Sequence, residues 1–183
     1  NAAYRLTSPG LGKEVGASDL ILTLEEPQNL WNTYFFVDNA NQEDSGLYRA
    51  GFVATAHSLS GADDSLVVNP VFTEGTISGM IAYDTPISNE GTRLNLGFSR
   101  NRVKIIDGTF EDFNIKAHSN DIFVGLSHPL NVTALAKVDF FAEAHHKWSD
   151  TTYDGMEISD NETETVKVGF NVRKYDRNGM WFA

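Results

Sequence analysis

Cysteine is absent from the 183 residues. That removes a disulfide framework, a zinc–thiolate centre and a thiol nucleophile, and it accords with an exported bacterial protein. Long apolar runs are missing too. No stretch approaches the ~18 residues that a spanning helix requires, which excludes a helical membrane protein, although a barrel strand needs only ~9–11 residues. Positive charge is scarce, with 14 Lys and Arg against 25 Asp and Glu and a formal charge of −11. Nucleic acid is thereby excluded as a partner, because its phosphates are held by basic side chains. The chain also lacks an initiating Met and a targeting segment. It ends in Gly179-Met180-Trp181-Phe182-Ala183, an apolar run with nothing after it, and is read here as an excised fragment.

What the sequence does have is alternation. From Ala136 to Trp148 one set of residues is Val138, Phe140, Ala142, Ala144, His146 and Trp148, and the other is Lys137, Asp139, Phe141, Glu143, His145 and Lys147. A period of two is the signature of a strand with unlike faces. It recurs from Glu164 to Arg173, where Val166, Val168, Phe170 and Val172 alternate with Lys167, Gly169, Asn171 and Arg173. Such a ribbon needs an apolar medium on one side and water on the other. A sandwich core plus solvent supplies both, and so does lipid plus a wet lumen.

Taken in order, Tyr4 to Leu6 and Leu20 to Leu24 are two short strands, separated by the Ser8-Pro9-Gly10 turn and closed by Glu25-Glu26-Pro27. Longer strands begin at Trp31. Trp31 to Asp38 is apolar or aromatic on both faces, which leaves its inward side unassigned. Tyr48 to His57 follows, then Leu66 to Phe72, where Pro70 marks an edge or a bulge. Ile77 to Pro86 comes next, then a strand with Leu94, Leu96 and Phe98 opposite Arg93, Asn95, Gly97 and Ser99. There the phase fails: Arg100 falls on the apolar face unless a bulge intervenes. Ile122 to Leu126 ends before His128-Pro129. The connections alternate in length. Asn39 to Gly46, Lys104 to Lys116 and Ser149 to Thr163 are long and acidic, whereas Ser58 to Asp64, Ile87 to Thr92 and Leu130 to Leu135 are short, and Glu74-Gly75 is a tight turn among the long ones. The expected fold is all-β: an antiparallel up-and-down meander of about eight long strands forming part of a transmembrane β-barrel.

A search for catalytic constellations finds none. Asp139 and Glu143 share a face but stand roughly 13 Å apart along a strand, too far for acid and base partnership. His145 and His146 are neighbours and so point to opposite faces. Asp150 to Gly155 opens like a calcium loop, but position twelve is Asn161 and no helix flanks it. Gly10-Leu11-Gly12-Lys13 lacks the first Gly and the Ser or Thr of a phosphate loop, and Gly75-Thr76-Ile77-Ser78-Gly79 misses the nucleophile-elbow pattern by one position. The chain reads as a non-enzyme without metal or cofactor.

Three stretches together resemble the outer-membrane pore of bacterial two-partner secretion, the hemolysin activation and secretion family. Gly16 to Glu26 is similar to the last strand of that family's second POTRA domain running into the barrel. Asp38-Asn39 followed by Ser45-Gly46-Leu47-Tyr48-Arg49 resembles its first extracellular hairpin. Tyr83-Asp84-Thr85-Pro86, leading to Leu94 through Arg102, resembles its Tyr-x-x-Pro turn and following strand. The resemblance implies that residues 1–27 are the end of a POTRA domain and linker, and that 28–183 are the N-terminal half of a sixteen-stranded barrel in the bacterial outer membrane. It implies ATP-independent export of a large hemolysin- or adhesin-like exoprotein, with outer-membrane lipid as the other partner. Arg49, Arg93, Asn95, Lys137, Asp139, Glu143, Lys147, Lys167, Asn171 and Arg173 would line the lumen and keep it hydrated.

The family's inward-folded loop with a Val-Arg-Gly-Tyr-type tip is missing, so this piece alone is expected not to secrete. Half a barrel has two open edges. The isolated piece is therefore expected to close on itself, to pair its edges with a second copy, or to misfold in part. The competing expectation is a soluble antiparallel β-sandwich or small barrel for surface adhesion or ligand binding. Strands of about ten residues exceed the usual five or six and weigh against it.

Overall fold

Each stretch read as a strand is one in the structure, except that Leu66 to Phe72 is divided in two. The computed structural model describes residues 2–7, 19–24, 30–176 and 179–182, which fall in two units, Asn1–Leu30 and Trp31–Ala183. In the first unit β1 (Ala2–Thr7) pairs antiparallel with β2 (Asp19–Leu24), Ala2 facing Leu24 and Thr7 facing Asp19. These are the two short strands expected from the sequence. The turn at Ser8-Pro9-Gly10, the glycine-rich stretch from Gly10 to Gly16 and the Glu25-Glu26-Pro27 stop lie outside the described residues.

The second unit is one antiparallel sheet built from β3 (Trp31–Asp38), β4 (Arg49–His57), β5 (Ser65–Val68), β6 (Val71–Phe72), β7 (Thr76–Pro86), β8 (Arg93–Lys104), β9 (Lys116–Val132), β10 (Ala136–Tyr153), β11 (Met156–Asp176) and β12 (Gly179–Phe182). Its order follows the chain from β3 to β12, with β5 and β6 sharing the place between β4 and β7. This is the expected meander.

Pro70 explains the divided strand. Lacking an N–H, it interrupts the ladder, and Asn69 bridges the gap. The Asn69 amide donates to the Met80 carbonyl at 3.0 Å, and the Met80 amide donates to Asn69 Oδ1 at 3.0 Å. Pro70 is thus an interior break, not an edge. Pro129 behaves similarly. The sequence ends the sixth strand before His128-Pro129, but β9 runs through to Val132, and the β9–β10 register shifts between Val138 and Asp139 beside Pro129. A bulge absorbs the missing donor and the strand continues.

Two further expectations need correction. Ser149 to Thr163 is not a long loop, because β10 and β11 stay paired as far as Tyr153 and Met156. Asp154 and Gly155, at φ of 47° and 82°, form the two-residue turn that suits a right-twisted hairpin. The calcium-loop reading loses its loop, since Asp150 faces Asp160 across a ladder. Of the three outcomes expected for a half-barrel, closure is not seen among the described residues: β3 and β12 are the two ends of the sheet. With four residues, β12 offers too short an edge to satisfy the eight of β3.

The sandwich expectation fails on burial. Among the described residues the only buried apolar side chain is Ala56. Phe35 and Val166 are each 73% exposed and Phe170 is 59% exposed. No second layer of described residues covers them, so the apolar medium this face needs lies outside the described residues, as lipid does for a barrel.

Candidate functional site

Register decides which side chains share a surface. Following paired residues across the sheet, Thr55, Val67, Ala82, Gly97, Phe123 and His145 lie in one row. Every second residue along each strand then shares that face. Arg49, Arg93, Asn95, Lys137, Asp139, Glu143, Lys147, Lys167, Asn171 and Arg173 all fall on it. β3 is now assigned as well: Tyr34, Phe36 and Asp38 face this side opposite Val53, Gly51 and Arg49, while Trp31, Phe35 and Val37 face the other.

Most charges on the polar face are paired locally. Arg49 Nε donates to Asp38 Oδ1 at 2.5 Å, with its guanidinium carbon 5.6 Å from the centre of the Phe36 ring. Lys137 Nζ lies 3.0 Å from Asp139 Oδ2. In the middle, His145 Nδ1 meets Asp121 Oδ2 at 3.0 Å, its Nε2 contacts Glu143, and Lys167 Nζ lies 3.7 Å from Glu143 Oε1. Asp121 and His145 are members that sequence reasoning missed. Their signal was the phase: both occupy polar positions of alternating strands, but only the β9–β10 register brings them together. Lys147 and Arg173 have no acidic partner among the described residues.

Aromatic rings cover glycines on this same face. A Cβ on Gly51 would stand 2.7 Å from Phe36, one on Gly169 2.8 Å from Phe141, and one on Gly97 would overlap the Phe123 ring. Each ring therefore lies flat over the neighbouring strand, which protects the backbone while leaving the charged side chains upright.

At the rim of short turns, Arg93 bridges Asp84 and Asp63, the latter at 3.2 Å. Beside it Asp64 is fully buried and accepts from the Ser60 hydroxyl at 2.8 Å, the Ser60 amide at 3.0 Å and the Tyr83 hydroxyl at 2.9 Å. The Tyr-x-x-Pro stretch thus supplies both a clamp for Asp64 through Tyr83 and an anchor for Arg93 through Asp84. Burial pushes the Asp64 carboxyl up, and the hydrogen bonds from Ser60 and Tyr83 more than reverse this, holding it at about 2 against an ordinary 3.8. A depressed carboxylate stabilises the fold above its unfolded value and ceases to do so as pH falls through the folded one. The unfolding midpoint in denaturant is expected to drop between about pH 4 and about pH 2, and Asp64→Asn should flatten that drop. An unchanged pH profile in the variant would contradict the assignment.

At the opposite rim the first long loop is tied down. Ser45 O accepts from the Gly75 amide at 3.0 Å and from Thr73 Oγ1 at 2.6 Å, and the Ile106 amide donates to Asp44 O at 2.9 Å. The loop before β4 is thus bound to the tight turn at Glu74-Gly75 and to the chain after β8.

The apolar face carries an oblique band. One row of paired residues runs from Trp31 through Ala56, Leu66, Tyr83, Leu96, Val124 and Ala144 to Val166. At β3 that row is the start of the strand, with apolar Phe35 and Val37 beyond it toward the long loops. At β11 it is the end of the apolar run, with Glu164 and Glu162 beyond. The row crosses the band from one side to the other in seven strand steps, roughly 34 Å at ~4.8 Å per step. Crossing a band ~25 Å tall over that distance corresponds to a strand tilt of about 45°, close to the ~35–45° of membrane barrels.

The family model for "Haemolysin secretion/activation protein ShlB/FhaC/HecB" matches residues 16–183. A curated relative, the heme/hemopexin transporter protein HuxB of Haemophilus influenzae (strain 86-028NP), is 24% identical over 131 residues, covering 70% of this chain and 22% of that protein. Among solved structures, CdiB from Escherichia coli matches with a TM-score of 0.75 at 18% identity, over 98% of this chain and 34% of that one. CdiB from Acinetobacter baumannii matches with a TM-score of 0.71 at 22% identity, over 98% and 35%. BamA from Haemophilus ducreyi lacking POTRA domains 1-3 shares the fold more distantly, with a TM-score of 0.53. The chain spans about a third or less of each of these proteins. With one face suited to lipid, one to water, and a match that takes in the whole sheet, this chain belongs to the haemolysin secretion/activation family ShlB/FhaC/HecB, outer-membrane β-barrel proteins of two-partner secretion.

Proposed function

We propose that this chain is the first half of the barrel of a longer transporter, with residues 1–27 the end of its last POTRA domain and linker and 28–183 the barrel strands, and that the whole exports a hemolysin- or adhesin-like exoprotein. The observation that supports this best is the division of one sheet into an apolar face without a protein cover and a polar face of locally neutralised charge. A surface that pairs Arg49 with Asp38, Lys137 with Asp139 and Glu143 with Lys167 has no large field of either sign. An extended polypeptide passes such a wall without being held.

Export is tested by co-expressing the full-length transporter with a candidate hemolysin- or adhesin-like exoprotein from the same organism and measuring that protein in the medium. Loss of the transporter should abolish its appearance, and undiminished secretion would end the proposal. The charge balance is tested with Asp139→Lys and Glu143→Lys together. This variant should slow export several-fold while outer-membrane assembly persists. Expressed alone, the chain should pair the edge of β3, and the length of β11 that the four residues of β12 leave uncovered, with a second copy, giving a dimer in detergent micelles on sedimentation; a monodisperse monomer would contradict this.

A further inference from the structure

The sequence phase that fails at Arg100 is not repaired by a bulge. β8 keeps unbroken register with β7 and with β9, so Gly79 faces Arg100, Ile77 faces Arg102, and Asn120 and His118 face them from the other side. Arg100 and Arg102 therefore stand on the apolar face, in line with Phe98. Neither has an acidic partner among the described residues. Asp150, the acid in the Arg102 row, is engaged by His118 at 2.8 Å.

Beside the two arginines the Asn69-Pro70 break opens the sheet surface. Gly79, opposite the break, has no side chain to fill it; a Cβ there would lie 3.3 Å from Pro70 Cα. The result is a groove of about 430 Å³ lined by Pro70, Phe72, Ile77, Ile81 and Phe98 together with Arg100 and Arg102. On this face of β8 the apolar side chains end at Phe98, so the arginines stand where the oblique band gives way to polar residues on the long-loop side. That is headgroup depth. Two arginines on one strand face, their Cα atoms ~6.6 Å apart along it, can bracket a phosphate, and the apolar groove beside them can take the chain attached to it.

We propose that this groove binds a phosphorylated lipid of the leaflet at the long-loop rim, with an acyl chain along Phe72, Ile77 and Phe98 and a phosphate held by Arg100 and Arg102. The proposal rests on the membrane reading above. It accounts for two charges on a face where an unpaired charge is otherwise unfavourable.

The test uses the full-length protein folded in detergent micelles, with native mass spectrometry reading bound bis-phosphorylated lipid A, the same lipid dephosphorylated, and inorganic phosphate as competitor. Arg100→Gln with Arg102→Gln should retain roughly tenfold less lipid A than the parent while both bind the dephosphorylated lipid alike, and Arg100→Lys with Arg102→Lys should fall between. Inorganic phosphate at the lipid's own concentration should not displace it. Equal retention by the Gln variant, equal binding of both lipids, or displacement by phosphate alone would overturn the proposal. Heat-dependent mobility in gels reports the folded barrel separately. A folded, lipid-embedded protein without phosphate-dependent binding refutes this site and leaves the transporter reading intact, whereas a protein that never enters micelles refutes both.

Discussion

Arginine in place of Val168 is expected to cost roughly 2–4 kcal/mol of folding free energy in a bilayer, and arginine in place of Thr165 close to nothing. The two positions are three residues apart on β11 and both are exposed. They differ in face. Val168 pairs with Ala142, near the middle of the apolar run from Val138 to Trp148, whereas Thr165 pairs with His145 on the polar side. If lipid covers the first face, a guanidinium at Val168 must be dragged into hydrocarbon or pull water in after it. If water covers both, the substitutions are equivalent. Reversible folding into phosphatidylcholine vesicles, titrated with guanidinium chloride, reads the difference. Equal costs at the two positions would remove the membrane from the account, and with it the meaning of the exposed Phe35, Val166 and Phe170.

The same face should be seen by tryptophan. Trp31, Trp148 and Trp181 pair with Ala56, Glu162 and Lys174 and all point to the apolar side. Trp31 stands at the short-turn end of its strand, and Trp148 closes the apolar run toward the long loops. Aromatic side chains with a polar N–H favour those two depths.

How far the sequence could be read follows from which property each feature depends on. Strand period is local, so Val138 to Trp148 and Val166 to Val172 declare their faces without any neighbour. β3 does not, because Phe35 and Phe36 are equally apolar. Its assignment needed Phe36 to lie over Gly51 and Phe35 to meet Phe52, which are facts about β4. Pro129 was read as a stop because its missing donor is visible in the sequence, while the bulge that absorbs it is not. The tip at Asp154-Gly155 is a good hairpin signal, but acidic residues around it resembled a loop more than two extended strands. The polar cluster was partly legible: alternation put Glu143, His145 and Lys167 on polar faces, whereas Asp121 and the contacts among the four came only through register. Arg100 is the instructive case. It broke the pattern, and the break was real.

Gly97→Ala is expected to destabilise the barrel by about 2–3 kcal/mol although it adds a single methyl group to an open surface. The reason is the Phe123 ring, which occupies the space a Cβ would need. Displaced, that ring also leaves its tilted contact with His145, whose centroid lies 5.4 Å away, and His145 in turn holds Asp121 and Glu143. One methyl thus loosens a chain of contacts across β8, β9 and β10. Gly125 on β9 is the matched control: a Cβ there meets Asn95 Cβ at 3.6 Å and Glu143 Cγ at 3.8 Å, ordinary contact distances. Gly125→Ala should stay within about 0.5 kcal/mol of the parent. Combining Gly97→Ala with Phe123→Ala removes the overlap, so the pair should cost less than the sum of the two single changes. Strict additivity, or a Gly97→Ala as mild as Gly125→Ala, would show that the ring moves aside freely and that the polar face is held by its ion pairs instead.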